Sequence, residues 1–161
     1  MTPRSFLLTQ ELSDYVRASS EPPDDVAADL LAETAALAER GEAPATFQIA
    51  AEQGAFLQSV TRALRVRTAI EIGTFTGFSA LCIARGLPED GSLLCLDRNA
   101  EWTAVARRYW AEAGLADRID LRLGPAADTL ADLLRGGAWS FDFFCDVKNT
   151  VFAPTGWNAS G

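Results

Sequence analysis

No histidine occurs anywhere in the 161 residues. That absence removes Ser-His-Asp and Cys-His nucleophile systems, histidine-ligated zinc, and imidazole as a general base. Any metal would have to be held by oxygen ligands, which selects Mg2+-like or Ca2+-like chemistry. Cysteine is scarce and odd in number. Cys82, Cys95 and Cys145 stand far apart, each within a predicted helix or strand, and read as buried structural thiols rather than as disulfide, redox or metal groups. Basic residues fall short of acidic ones, 14 against 22, and the net charge of −8 opposes attraction to nucleic acid or an anionic membrane. No basic cluster reverses that balance locally. No charged, then apolar, leader opens the chain and no apolar run approaches the roughly 20 residues of a membrane span, so the expected address is the cytoplasm.

Two common phosphate cradles are missing as well. A dinucleotide site needs G-x-G-x-x-G, whereas the turn at Gly73 to Gly77 offers G-x-x-x-G with Thr74 where the second glycine would stand. It also lacks the lysine and distal glycine of a P-loop. A nicotinamide-dependent oxidoreductase is therefore disfavoured. What the stretch does contain is a short apolar run, Thr68-Ala69-Ile70-Glu71-Ile72, a glycine-punctuated turn, and the start of a helix at Phe78-Ser79. A run this short between turn residues reads as a buried parallel strand. Glu71 interrupts it, and burying an unpaired carboxylate costs several kcal/mol, so fixed donors are expected beyond the strand end. Asp97, closing the next strand, adds a second acid where a ribose diol lies in such folds. Two acids and few phosphate donors suit a nucleoside ligand with a positive centre and no pyrophosphate.

The length suits one domain with an adequate core, and the 48% apolar content is that of a globular chain. Thr9 is positioned to cap a first helix with Leu12, Tyr15 and Val16 on one face, ended by Ser19-Ser20-Glu21-Pro22-Pro23. Asp24 or Asp25 starts a second helix, with Val26, Leu30, Thr34 and Leu37 at helical spacing, stopping near Gly41. A third follows Pro44, with Phe56, Leu57, Val60 and Leu64 expected toward a core. Residues 1–66 thus form a helical segment, a lid or dimer surface within the same domain as an α/β core over 67–148, with 149–161 as an atypical tail.

From Thr68 the order alternates strand and helix, which implies right-handed crossovers and a parallel sheet. The strands are Thr68 to Ile72, Ser92 to Asp97, Ile119 to Leu123 and Phe141 to Asp146. Ile119-Asp120-Leu121-Arg122-Leu123 alternates apolar and charged residues, as an edge strand with one wetter face does. Asn99 caps the clearest helix, with Trp102, Val105, Ala106, Tyr109, Trp110 and Ala113 on one stripe, and Pro125 opens the last. Three strand ends carry acids, Glu71, Asp97 and Asp146, and the shared crevice at the carboxyl ends of a parallel sheet would bring them together.

In this order, Glu52-Gln53-Gly54-Ala55-Phe56-Leu57, Ile70-Glu71-Ile72-Gly73-Thr74-Phe75-Thr76-Gly77-Phe78-Ser79-Ala80-Leu81, Leu87-Pro88-Glu89-Asp90-Gly91, Ala113-Gly114-Leu115-Ala116-Asp117-Arg118-Ile119 and Gly124-Pro125-Ala126 form a specific pattern. From Leu7 to Phe144 the chain resembles the S-adenosylmethionine-dependent O-methyltransferases of the caffeoyl-CoA and catechol type. The resemblance implies a Rossmann-like class I methyltransferase fold. It implies a donor site in which Glu71, Gly73, Thr74 and Phe75 line the methionine end and Ser79 holds the carboxylate. Asp97 would take the ribose hydroxyls, and Ala126 would pass its backbone near the adenine. It further implies a small hydroxylated, catechol-like acceptor, a homodimer, and Mg2+ held with the help of Asp146, with Lys148 beside it as a catalytic group.

The resemblance weakens at the carboxyl end. The family follows Phe-Asp-Phe with three apolar residues, Asp-Ala-Asp-Lys and an Asn-Tyr pair, whereas this chain reads Phe144-Cys145-Asp146-Val147-Lys148-Asn149-Thr150. One family acid is missing, and the family's later strands have no counterpart before Gly161, as in a truncated or frame-shifted product. With family topology the strand order would be 3-2-1-4, leaving the fourth strand as an exposed apolar edge. The metal site is then expected to be incomplete. The alternative to an active O-methyltransferase is an inactive donor-binding remnant that pairs with a full-length methyltransferase.

Overall fold

The computed structural model describes residues 9–137 and 140–146. Lys148 and the segment 149–161 lie outside the described residues. Three helices come first, α1 (Gln10–Ser19), α2 (Asp25–Glu39) and α3 (Ala51–Ala63). Then follow β1 (Thr68–Ile72), α4 (Phe78–Gly86), β2 (Ser92–Asp97), α5 (Ala100–Glu112), β3 (Ile119–Leu123), α6 (Ala126–Gly136) and β4 (Phe143–Asp146). The caps fall where the residue types require them. Thr9 Oγ1 accepts from Leu12 N, Asp24 Oδ1 from Ala27 N, and Asn99 Oδ1 from Glu101 and Trp102 N.

The four strands are parallel and ordered β3-β2-β1-β4, as the resemblance implies. Period-2 alternation divides their side chains between two layers. Ala69, Leu93, Cys95, Ile119, Phe143 and Cys145 face one core with Leu30, Leu81, Ile83, Ala106 and Trp110 of the helices. Ile70, Leu94 and Leu96 face the other, against Leu130 and Leu133 of α6. α3 lies close on α4 because Gly54 has no side chain there: a Cβ would come 2.7 Å from the Phe78 ring and 2.8 Å from Cys82 Sγ.

Three expectations are corrected. Phe56 and Leu64 of the third helix stand in solvent, each 66% exposed, while Gly54 and Thr61 are the residues it buries. Helical spacing identified an apolar set, but close approach to α4 selected the small residues instead. The fourth strand begins at Phe143 rather than Phe141, because the Asp142 carboxylate accepts from the backbone N–H groups of Arg67 and Thr68 at 2.9 and 3.0 Å. Pro125 is the cap of α6 rather than its first helical residue. Leu12, Tyr15 and Val16 do share a face of α1, but that helix buries nothing.

Candidate functional site

The turn between β1 and α4 stands at the carboxyl edge of the sheet. Gly73 leaves the strand at φ +85° and donates to Leu96 O at 2.9 Å, which fixes the turn to β2. Phe75 takes a left-handed conformation, φ +56°, rare for a bulky residue and held here by its surroundings. Gly77 at φ +87° is the residue before α4, and Trp110 Nε1 donates to its carbonyl at 3.1 Å. A Cβ on Gly77 would lie 2.5 Å from that of Ala106, so only glycine fits. α4 starts without a side-chain cap, leaving its first N–H groups directed at the turn.

Glu71 is fully buried, on the same face as Ala69, with Cys95 and Cys145 beside it in register on the two neighbouring strands. Cys95 Sγ lies 3.7 Å from Oε2, and Oε1 has no hydrogen-bond partner. The donors expected beyond the strand end therefore do not close on it. Burial pushes its pKa from 4.5 up to about 7, offset in part by the nearby hydroxyls of Ser79 and Thr74 and the Cys95 thiol, and reinforced by the charge of Asp97. Thr74 Oγ1 is also buried without a partner.

Asp97 is buried but well supplied. Its Oδ2 accepts from Phe75 N at 2.8 Å, and its Oδ1 from Arg98 N and Asn99 N at 2.6 and 2.9 Å. It thus ties the turn after β1 to the turn after β2. Ser79 is buried in the first turn of α4, and Ala126, half-buried, opens α6 across the sheet beside Ile72. Asp146 ends β4 in register with Ile72. The structure therefore brings Glu71, Gly73, Thr74, Phe75, Ser79 and Asp97 together around one turn. Asp146 stays one strand away. Among the described residues no group of three or more acids or thiols stands close enough to hold a metal ion. The described residues alone do not supply a Mg2+ donor set.

Two features beside the turn carried no sequence signal. Phe47, from the loop after α2, meets Phe75 and Trp102 edge to face, with ring centroids 5.8 and 6.0 Å away, and Phe75 and Trp102 meet at 5.0 Å. Phe47, Gln48 and Ile49 share a cleft with Thr74 to Ser79. Thr34 of α2 donates to Leu30 O and hydrogen-bonds Thr76 at 2.8 Å, so the turn is pinned from the N-terminal helices as well. Periodicity marks neither, since both depend on residues brought from 27 to 55 positions away.

The sequence matches a family model described as O-methyltransferase over residues 18–153. The chain belongs to the O-methyltransferase family. Among its relatives are a catechol O-methyltransferase of Niastella koreensis, 38% identical over 76% of this chain and 55% of the relative, and caffeoyl-CoA O-methyltransferase 1 of Eucalyptus globulus, 40% identical over 58% and 38%. The fold of this family member is that of an O-methyltransferase from Bacillus cereus solved with SAH, at TM-score 0.73 and 30% identity, over 84% of this chain and 60% of that one. TomG from Streptomyces achromogenes, solved with SAM, gives 0.73 and 29%, over 85% and 59%. The chain thus spans about half the length of the curated relatives it matches. Its Rossmann-like parallel sheet is that of the class I methyltransferases.

Proposed function

We propose that the chain binds S-adenosylmethionine at the β1–α4 turn and serves methyl transfer to a hydroxyl of a small aromatic, catechol-like acceptor. The observation that carries this reading is the buried carboxylate of Glu71, with an oxygen left unpartnered beside a glycine turn and an uncapped helix start. Such an arrangement fits a ligand that brings its own positive centre and a carboxylate. Glu71, Gly73, Thr74 and Phe75 line the methionine end and Ser79 holds the carboxylate. Asp97 takes the ribose hydroxyls, and the backbone at Ala126 borders the adenine. Bound there, the donor supplies an electrophilic methyl on a sulfonium. Transfer would form the methyl–oxygen bond as the methyl–sulfur bond breaks, with S-adenosylhomocysteine leaving and the acceptor's proton passing to solvent. Asp146 and Lys148 are the groups assigned to the acceptor side.

The alternative reading is an inactive donor-binding remnant that pairs with a full-length methyltransferase. A homodimer and a cytoplasmic address belong to the first reading. Among the described residues no helix is long and apolar enough to cross a membrane.

Calorimetric titration of the purified chain with S-adenosylmethionine, followed by a product assay on a panel of catechols, tests both. Micromolar affinity, near −8 kcal/mol, with a methylated product, is the expected result of the first reading. Donor binding without turnover, restored on adding a full-length homologue, is the result of the second. No binding by a folded chain overturns both.

A further inference from the structure

Ionised, Glu71 would be a fully buried anion with no cation beside it among the described residues. Every described group that faces it is neutral or acidic. From β2 come the Cys95 thiol, 3.7 Å from Oε2, and the carboxylate of Asp97; from β4, in register, comes Cys145. From α4 come the Ser79 hydroxyl and the Cys82 thiol, and from the turn the Thr74 hydroxyl. All three thiols are held protonated by burial, Cys82 and Cys145 up to about 12 and Cys95 well above its ordinary value. A carboxylate so placed keeps its charge only when a cation arrives, because desolvation disfavours the ionised form and nothing here offsets it fully.

We propose that Glu71 is a proton-coupled receptor for the donor's positive centre, holding a proton on Oε1 or Oε2 when the turn is empty and releasing it to solvent as the cation takes its place. This rests on the reading that the turn binds S-adenosylmethionine. The unpartnered oxygen is what makes the exchange possible. Asp97, by contrast, already accepts from three backbone N–H groups. With burial pushing Glu71 up to about 7, the proton is present at mildly acidic pH. Affinity for a cationic ligand then rises with pH up to that point and levels above it. The donor has two positive centres, the methionyl ammonium and the sulfonium. Both have the chemistry required.

The test is calorimetry of the whole chain at about pH 6 in two buffers of different ionisation enthalpy, whose difference in heat counts the protons released. The ligands are S-adenosylmethionine, S-adenosylhomocysteine, which keeps only the ammonium, and 5′-methylthioadenosine, which has neither charge. The expected result is about one proton released with S-adenosylmethionine, and affinity rising roughly tenfold per pH unit below about pH 6.5. Glu71→Gln should release none and lose the pH dependence. Release with S-adenosylhomocysteine as well assigns the ammonium as the partner; release with S-adenosylmethionine alone assigns the sulfonium. Either upholds the coupling. Binding with no proton released, equal release with 5′-methylthioadenosine, or release that persists in Glu71→Gln overturns it. A parallel titration at about pH 7.5, with Glu71 mostly ionised, separates the failures. No binding there removes the donor reading and this inference together. Binding there, without proton release at the lower pH, removes only this inference.

Discussion

Phe75 N donates to Asp97 Oδ2 at 2.8 Å, and with the Gly73 N to Leu96 O bond this anchors the turn after the first strand to the end of the second. Phe75 and Asp97 are 22 positions apart. The same carboxylate accepts from Arg98 and Asn99 N, so it also shapes the turn that leads into α5. Asp97→Ala would leave three backbone donors, one of them buried, without their acceptor. We expect a loss of about 2 to 4 kcal/mol, read as a lower urea midpoint, together with loss of nucleoside binding. Wild-type affinity in this variant would remove Asp97 from the donor site.

Glu71 makes stability depend on pH in the direction opposite to most acids. Its folded pKa of about 7 lies above the ordinary 4.5, so the folded chain holds a proton that the unfolded chain has lost between those values. The contribution is therefore fully present below pH 4.5 and lost as pH rises through 7. The full span is about 3 kcal/mol, at 1.36 kcal/mol per unit. Chemical unfolding across this range should show wild-type stability falling as pH rises relative to that of Glu71→Gln, which lacks the titrating acid. A pH-independent difference between them would contradict the raised pKa.

Gly77 and Gly41 both have positive φ, at +87° and +73°, but their surroundings differ. A Cβ at Gly77 would meet Ala106 at 2.5 Å and the Trp110 ring at 2.9 Å, whereas at Gly41 nothing lies within 4 Å. Gly41→Ala should cost about 1 kcal/mol, the backbone strain alone. Gly77→Ala should cost about 3 kcal/mol or more, since overpacking is added to it. Equal thermal shifts in the two variants would refute the close packing of α5 on the turn.

Cys82 and Cys95 are buried, Cys145 is half-buried, and burial holds all three thiols protonated. A thiol reagent near pH 8 should react slowly with the folded chain and rapidly with all three thiols once urea unfolds it. Cys145 should be the first of the three to react. Fast labelling of Cys95 before unfolding would mean that the centre of the sheet opens to solvent.

Much of the fold could be read from the chain. β1 and β2 begin and end where their apolar runs do, because a buried strand needs a near-continuous apolar run and ends at the first turn residue, and the edge strand β3 spans its alternating run. The caps at Thr9, Asp24 and Asn99 are local in the same way, each satisfied within three residues. Helix faces were harder. The spacing of Phe56 and Leu64 is that of a buried stripe, yet both are exposed, since spacing states which residues share a face and not which face meets a neighbour.

Sequence alone therefore determined the α/β order, the absence of histidine chemistry, and the glycine-punctuated turn with its two acids, for these depend on residue types and on neighbours a few positions away. Only the tertiary structure decided how those acids differ. Asp97 meets three backbone donors; Glu71 lies between two thiols with one oxygen unpartnered. A carboxylate's charge state is set by what the fold packs around it, and strands distant in sequence supply that surrounding.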